Sequence, residues 1–250
     1  MPSAYFVSDI HIMSPGCARA RAFLGFLRSL SGGANASHLV LLGDIFDLWV
    51  ADHDYFIGSY REIIDEIRRL RDEGVEIRYF EGNHDLHLKY YWADELGLTI
   101  HDGPAYVKFG ERTIRLEHGD QMDPDDRGYR FLRWFLRTPV VRFLVRRLPG
   151  PLIRKIGNRA SAASRDYTSN TKAIGRRDAI AKIRAHALKA HAERPFDLII
   201  SGHVHVRDDR RFDAANGGFR SVNLGSWLDA PCYFKLDETG ERFHDLAEAP

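Results

Sequence analysis

The 250-residue chain predicts an α/β body of two sheets interrupted by a helical insertion. Three observations carry that prediction. The first hundred residues alternate strand-like and helix-like segments, the stretch from Asp125 to about His191 is helical in pattern, and strand-like runs return from Asp197. A βαβαβ rhythm builds a sheet covered by helices, and this length suffices for one large domain or a domain with an insertion.

Tyr5–Val7 reads as a first strand, and Ala18–Leu30 has helical periodicity. His38–Leu42 is a buried-strand run. Over Tyr60–Asp72, Ile63, Ile64, Ile67 and Leu70 recur at helical spacing with charged residues opposite. Gly74 is expected to close that helix in a left-handed C-cap. Val75–Phe80 is the next strand, and Leu86–Leu96 the next expected helix. Ala105–Phe109 and Thr113–Leu116, joined around Gly110, predict a hairpin. The helical stretch that follows is broken at Thr138-Pro139 and Pro149-Gly150-Pro151. Later strands are expected at Asp197–Ile200, Arg211–Asp213, Phe219–Asn223 and Tyr233–Leu236. The expected partition is a core of residues 1–122 and 192–250 with an insertion over 123–191.

Apolar residues at 44% and charged residues at 28% are ordinary for a globular protein, which excludes a disordered or fibrous chain. The two cysteines, Cys17 and Cys232, make neither a disulfide framework nor a zinc pair, so a reducing cytosolic setting is expected. The first residues enter a strand without a charged-then-apolar leader. No apolar run approaches the ~20 residues that span a bilayer.

Five short motifs each follow a strand-like run: Asp9-Ile10-His11, Gly43-Asp44, Gly82-Asn83-His84-Asp85, His118-Gly119-Asp120 and Gly202-His203-Val204-His205. Open α/β sheets place their chemistry at the carboxyl ends of strands, so five such ends can gather these side chains in one place. Any one motif alone reads as a loop or a cap; their coincidence at five strand ends points to metal. A carboxylate bridges two cations, neutral imidazole gives a firm nitrogen ligand, and an asparagine amide oxygen adds an uncharged hard donor. Asp9, His11 and His205 are assigned to one ion and Asn83, His118 and His203 to the other, with Asp44 shared. Oxygen and imidazole donors without thiolate suit Mn²⁺, Fe²⁺, Zn²⁺ or Mg²⁺ and do not choose among them. A pair of divalent ions suits hydrolysis of a phosphoester or phosphoanhydride. His84 remains outside the ligand count, free to face the phosphate or protonate the leaving oxygen, with Asp85 expected to fix its ring.

In this order the motifs resemble those of the calcineurin-like metallophosphoesterases: DIH at 9–11, GDIFD at 43–47, GNHD at 82–85, HGD at 118–120 and GHVH at 202–205. The resemblance implies a four-layer αββα sandwich with a dinuclear site at the loop ends of two facing sheets, and a phosphate-facing role for His84. Within that superfamily the chain is most similar to the UDP-2,3-diacylglucosamine pyrophosphohydrolases of lipid A synthesis. GDIFDLW at 43–49 and HGDQMDPDDRGYRFLR at 118–133 carry that likeness, with Asp126 and Tyr129 at the subgroup's spacing. The implied reaction releases UMP and 2,3-diacylglucosamine 1-phosphate. The subgroup has GNRD where this chain has His84. Its Ser and Lys contacts in the cap have counterparts by rough position in Ser164, Asn170 and Lys172.

Between Arg127 and Arg177 stand fourteen Arg or Lys and one acid, Asp166. On a helical projection Arg127, Arg130, Arg133 and Arg137 share one side, and Phe131, Leu132, Phe135 and Leu136 the other. Such a cap suits an anionic membrane surface or a ligand with acyl chains and a diphosphate. The expected substrate contacts are Asn83, His84, Asp126, Tyr129, Arg133, Lys172 and His203. The expected partners are a nucleotide-linked glycolipid and the cytoplasmic face of the inner membrane, with no nucleic acid. A phosphodiesterase or phosphatase on another lipid-linked or soluble nucleotide is the alternative, and a non-catalytic scaffold the third reading.

Overall fold

Strands β1 (Ala4–Val7), β2 (His38–Leu41) and β4 (Glu76–Phe80) lie side by side in parallel. Between β2 and β4 come the two-residue β3 (Trp49–Val50), α2 (Asp54–Ser59) and α3 (Arg61–Asp72). The computed structural model describes residues 3–33, 35–123, 125–157, 159, 175–213 and 217–246. β6 (Thr99–His101) extends the first sheet in parallel beside β4. β12 (Cys232–Asp237) and β13 (Gly240–Asp245) extend its other side as antiparallel strands. The order is β13-β12-β1-β2-β4-β6.

The second sheet has β7 (Ala105–Phe109), β8 (Arg112–Leu116), β9 (Leu198–Ser201), β10 (Asp208–Phe212) and β11 (Phe219–Asn223), in the order β10-β11-β9-β8-β7. Alternation along β1 explains the layering. Ala4 and Phe6 join Val40 and Phe80 against Ile114, Leu116, Leu198 and Val222 of the second sheet. Tyr5 and Val7 point the other way, into a core with Phe23 and Leu27 of α1 (Ala18–Ser29) and Ile63 and Ile67 of α3. The outer face of the second sheet packs Ile199 and Phe219 on Ala187 and Ala190 of α7 (Arg176–Glu193). Helix, sheet, sheet, helix: the four layers are present.

The α3 stripe is as expected, with Ile63, Ile64, Ile67 and Leu70 buried, and Gly74 follows at φ 88°. Two expectations change. Leu86–Leu96 is not one helix: β5 (Asp85–Leu86) pairs with β3, and only Lys89–Ala93 closes into a π-helical turn. Backbone partners at Trp49 and Val50 draw the start of this segment into extended form. α7, expected inside the insertion, buries Ala179, Ile183, Ala187 and Ala190 and belongs with the second sheet.

The rest of the insertion behaves differently. α4 (Arg127–Leu136) and α5 (Pro139–Val145) bury no residue. Asp126 accepts the Tyr129 amide N–H to cap α4, and Thr138 accepts that of Val141 ahead of α5, where Pro139 takes the first turn. A further helical stretch, α6 (150–157), anchors Ile153 in the main core.

Candidate metal centre

Parallel order brings the ligand-bearing turns together. β1, β2 and β4 are neighbours in one sheet, β8 and β9 in the other, so the turns after them open on one rim. Each turn is sharp. Asp9, His11, Asp44, His203 and His205 all have positive φ between 49° and 67°, a region non-glycine residues rarely adopt. Such strain persists where the surroundings over-determine it, and it clusters at functional sites. Glycine at 82 and 202 is required by space: a Cβ on Gly82 would collide with Asp44 Oδ1, and one on Gly202 with Asp9 Oδ2.

The seven candidate donors lie together in two neighbouring clusters. In the first, His205 Nε2 lies 3.2 Å from Asp9 Oδ1 and 3.2 Å from His11 Nε2. In the second, Asn83 Oδ1 is 3.2 Å from His118 Nε2 and 3.1 Å from His203 Nδ1. Asp44 Oδ2 stands between them, 3.8 Å from His11 Nε2 and 3.6 Å from His118 Nε2. Asp9–His11–His205 and Asp44–His118–His203 are each compact enough to hold a cation, as is His11–Asp44–His84.

The carboxylates are tied by one oxygen and open at the other. Asp9 Oδ2 accepts the His203 backbone N–H and Asp44 Oδ1 that of His84, both at 2.9 Å. Asp9 Oδ1 and Asp44 Oδ2 are buried and, among the described residues, have no hydrogen-bond partner. A buried acceptor left so is costly unless something positive meets it. The titration behaviour agrees. Burial would raise the Asp9 carboxyl, but the His205 ring 3.2 Å away and the charges of His118 and His11 hold it below the usual range. His118 is pushed up to about 9: burial opposes this, and Asp44, Asp9 and Asp120 outweigh it. Burial, then His118, pushes His203 down to about 4. These residues fit divalent cations. The His118 Nδ1–H donates to the Leu42 carbonyl at 2.8 Å, which fixes the tautomer and turns Nε2 toward Asp44.

His84 is held by a different partner from the one expected. Its Nδ1–H donates to the Asp47 carbonyl at 2.8 Å. Asp85 is fully buried behind the site, accepting the N–H groups of Ile45 at 2.9 Å and Phe46 at 3.2 Å and the Tyr79 hydroxyl at 2.9 Å. Burial and the Asp44 charge push its carboxyl up to about 7. Asp85 therefore braces the Asp44 turn, because pairing of β5 with β3 turns it away from the His84 ring. Asp47 was visible as the second aspartate of GDIFD, but its carbonyl role was not.

The cap docks on the metal turns through its arginines. Arg133 Nε and the Tyr129 hydroxyl both donate to Asp120 Oδ2 at 2.7 Å, and Arg133 also reaches the Asp102 carbonyl. Arg137 spans Glu81 Oε2 at 3.1 Å and the Gly82 carbonyl at 2.9 Å. Arg133 is thus held within the protein by Asp120 and the Asp102 carbonyl, and Asp126 caps α4. Asn83, His84 and His203 do face the donor cluster; Ser164, Asn170 and Lys172 lie outside the described residues. The apolar side of α4 and α5 points outward, with Phe131 65% and Trp134 63% exposed and Leu132, Phe135, Val140, Phe143 and Leu144 also open. Asn223, which no motif marks, is fully buried and donates to the Gly202 carbonyl at 2.7 Å, supporting the His203 turn.

Residues 3–207 match the calcineurin-like phosphoesterase family. The chain is 29% identical over 240 residues to a UDP-2,3-diacylglucosamine hydrolase of Pseudomonas aeruginosa PAO1, covering 96% of this chain and 97% of that protein. A protein of the same name from Vibrio parahaemolyticus is 27% identical over 236 residues, 94% of each chain. Among solved structures, an archaeal phosphodiesterase matches with a TM-score of 0.51 over 98% of this chain and 99% of that one. At 14% identity, that is a likeness of fold.

Proposed function

This chain belongs to the calcineurin-like phosphoesterases, metal-dependent phosphoester hydrolases, and from that premise we propose that it cleaves the pyrophosphate of UDP-2,3-diacylglucosamine. The products are UMP and 2,3-diacylglucosamine 1-phosphate. Near-full-length relatives bearing that substrate in their names support the reading. The observation that carries the lipid is the inverted cap, whose arginines dock inward on Asp120 and Glu81 while its aromatic residues face out. A soluble substrate gives no reason for such a surface; acyl chains and a membrane face do.

Asp9, His11, Asp44 and His205 would hold one ion and Asp44, Asn83, His118 and His203 the other, with Mn²⁺ the proposed metal. Bound there, two divalent ions supply Lewis acidity for attack of water on phosphorus and offset the charge on phosphoryl oxygen. The chain's own residues do the rest. Asp85 and Tyr79 keep the Asp44 turn in place. His84, its ring fixed by the Nδ1–H bond to the Asp47 carbonyl, presents Nε2 to the phosphate and the leaving oxygen. Helices α4 and α5 act as a lipid-facing cap at the cytoplasmic surface of the inner membrane.

Purified protein with Mn²⁺ and UDP-2,3-diacylglucosamine should yield UMP, and in ¹⁸O-water the label should appear on UMP. No product from a metal-loaded protein would refute the substrate. His84 in place of the subgroup's Arg favours a second reading, hydrolysis of another lipid-linked or soluble nucleotide. Activity on soluble diesters without detergent, and none on lipid, selects it.

A further inference from the structure

Beside the turn that carries His118 lies a cavity of about 200 Å³, bounded by Phe80 and Glu81, Gly103-Pro104, Glu117 and His186 of α7. We propose that this cavity takes the uncharged base of the substrate's nucleotide, with Gln121 reading its edge. The proposal rests on the nucleotide-substrate reading above and adds where the nucleoside lies.

Size decides first. At ~30 Å³ per water the space is worth about seven waters, and it falls short of the ~300 Å³ where whole-ligand pockets begin. It suits one ring-sized part of a larger molecule.

Charge decides next. Glu117 is buried and accepts from His186 Nε2 at 2.6 Å and Arg115 Nε at 2.9 Å. Asp120 is held by Arg133 and Tyr129, and Glu81 by Arg137. Carboxylates already paired within the protein offer an anion nothing, and a phosphate there would lose its water without compensation. An uncharged polar group avoids that loss. Phe80, Pro104 and Met122 supply apolar walls, against which a flat ring packs. Gln121 brings a carboxamide to the same lining, one donor and one acceptor side by side. That pair complements the adjacent N–H and carbonyl of a pyrimidine.

Position completes the argument. His118, Gly119 and Asp120 line the cavity in succession, and His118 Nε2 is 3.2 Å from Asn83 Oδ1 in the donor cluster. A base seated here lies on the flank of the second donor group, beside the phosphate-facing residues.

Uridine, which has no phosphate, is the probe. Saturation-transfer NMR on the full chain should show transfer to the base protons of uridine. A Cβ at Gly103 meets only Gln121 Nε2, at 3.9 Å, so Gly103→Leu enters without backbone conflict and fills the space. It should cut uridine affinity by about tenfold or more. Gln121→Ala, at an exposed position that leaves folding intact, should weaken uridine by about threefold or more. No transfer to uridine in the unaltered chain, or equal affinity in Gly103→Leu, overturns the proposal. If the lipid-linked nucleotide is still cleaved while Gly103→Leu binds uridine normally, the cavity assignment fails and the hydrolase reading stands. Uridine binding lost in Gly103→Leu, in a chain that cleaves no nucleotide ester, does the reverse.

Discussion

Replacing Phe131 and Trp134 together by serine tests the outward face of α4 most directly. Their rings lie 5.7 Å apart, and the helix they stand on has no buried residue. A Phe or Trp side chain presents ~150–250 Å². At 65% and 63% exposure, the pair leaves roughly 250 Å² open to solvent. With half of that meeting lipid at ~25 cal/mol/Å², transfer contributes about 3 kcal/mol. That is about a hundredfold in partition. The assay is sedimentation with vesicles containing anionic lipid, alongside KM for UDP-2,3-diacylglucosamine in mixed micelles. Vesicle binding should fall and KM rise by that order, with the melting temperature and turnover of bis(4-nitrophenyl) phosphate unchanged. Equal binding by both proteins refutes the reasoning, and so does a parallel loss on lipid and small diester, which would make the helix face structural.

Asp44→Ala removes the oxygen shared by both donor groups; metal content by elemental analysis should drop from two ions, and activity should vanish. Chelation should do the same to the unaltered chain, and Mn²⁺ at about a hundred times its Kd should restore about 2.7 kcal/mol of stability. His84→Ala should lower kcat by about 10²–10⁴ with metal content retained; equal loss of metal would make it a ligand. Arg137→Ala leaves Glu81, 7% exposed, without its ion partner. A fully buried pair costs ~3–5 kcal/mol to break. Burial already raises the Glu81 carboxyl, so protonation should limit the loss to about 2 kcal/mol in urea unfolding. Arg137→Lys should recover only part, since an ammonium cannot span Glu81 and the Gly82 carbonyl together.

Where the chain carries a strong local signal, sequence and structure agree. The α3 stripe, the β7–β8 hairpin and the five ligand turns all announce themselves by spacing and by glycine. β13 did not, since its alternation is weak and both of its faces are partly exposed. The expected strand at Arg211–Asp213 begins earlier, at Asp208, because edge pairing with β11 recruits charged residues that no apolar pattern marks. Asp85 beside His84 invited a sequence-local partnership that strand pairing undid. Glu81 and Asn223 lay unmarked because their partners come from far along the chain; Arg137 meets Glu81 across 56 residues.

Order along the chain was enough to place seven candidate donors at strand ends, because parallel strands carry their carboxyl ends to a common rim. The direction of the cap was beyond its reach. A helical projection shows two faces, arginine and aromatic, and says nothing about which one meets the protein. Tertiary structure decided that, for a physical reason: Asp120 and Glu81 are buried carboxylates that must be paired, and among the described residues Arg133 of α4 and Arg137 just after it form their ion pairs. The aromatic face is left pointing outward.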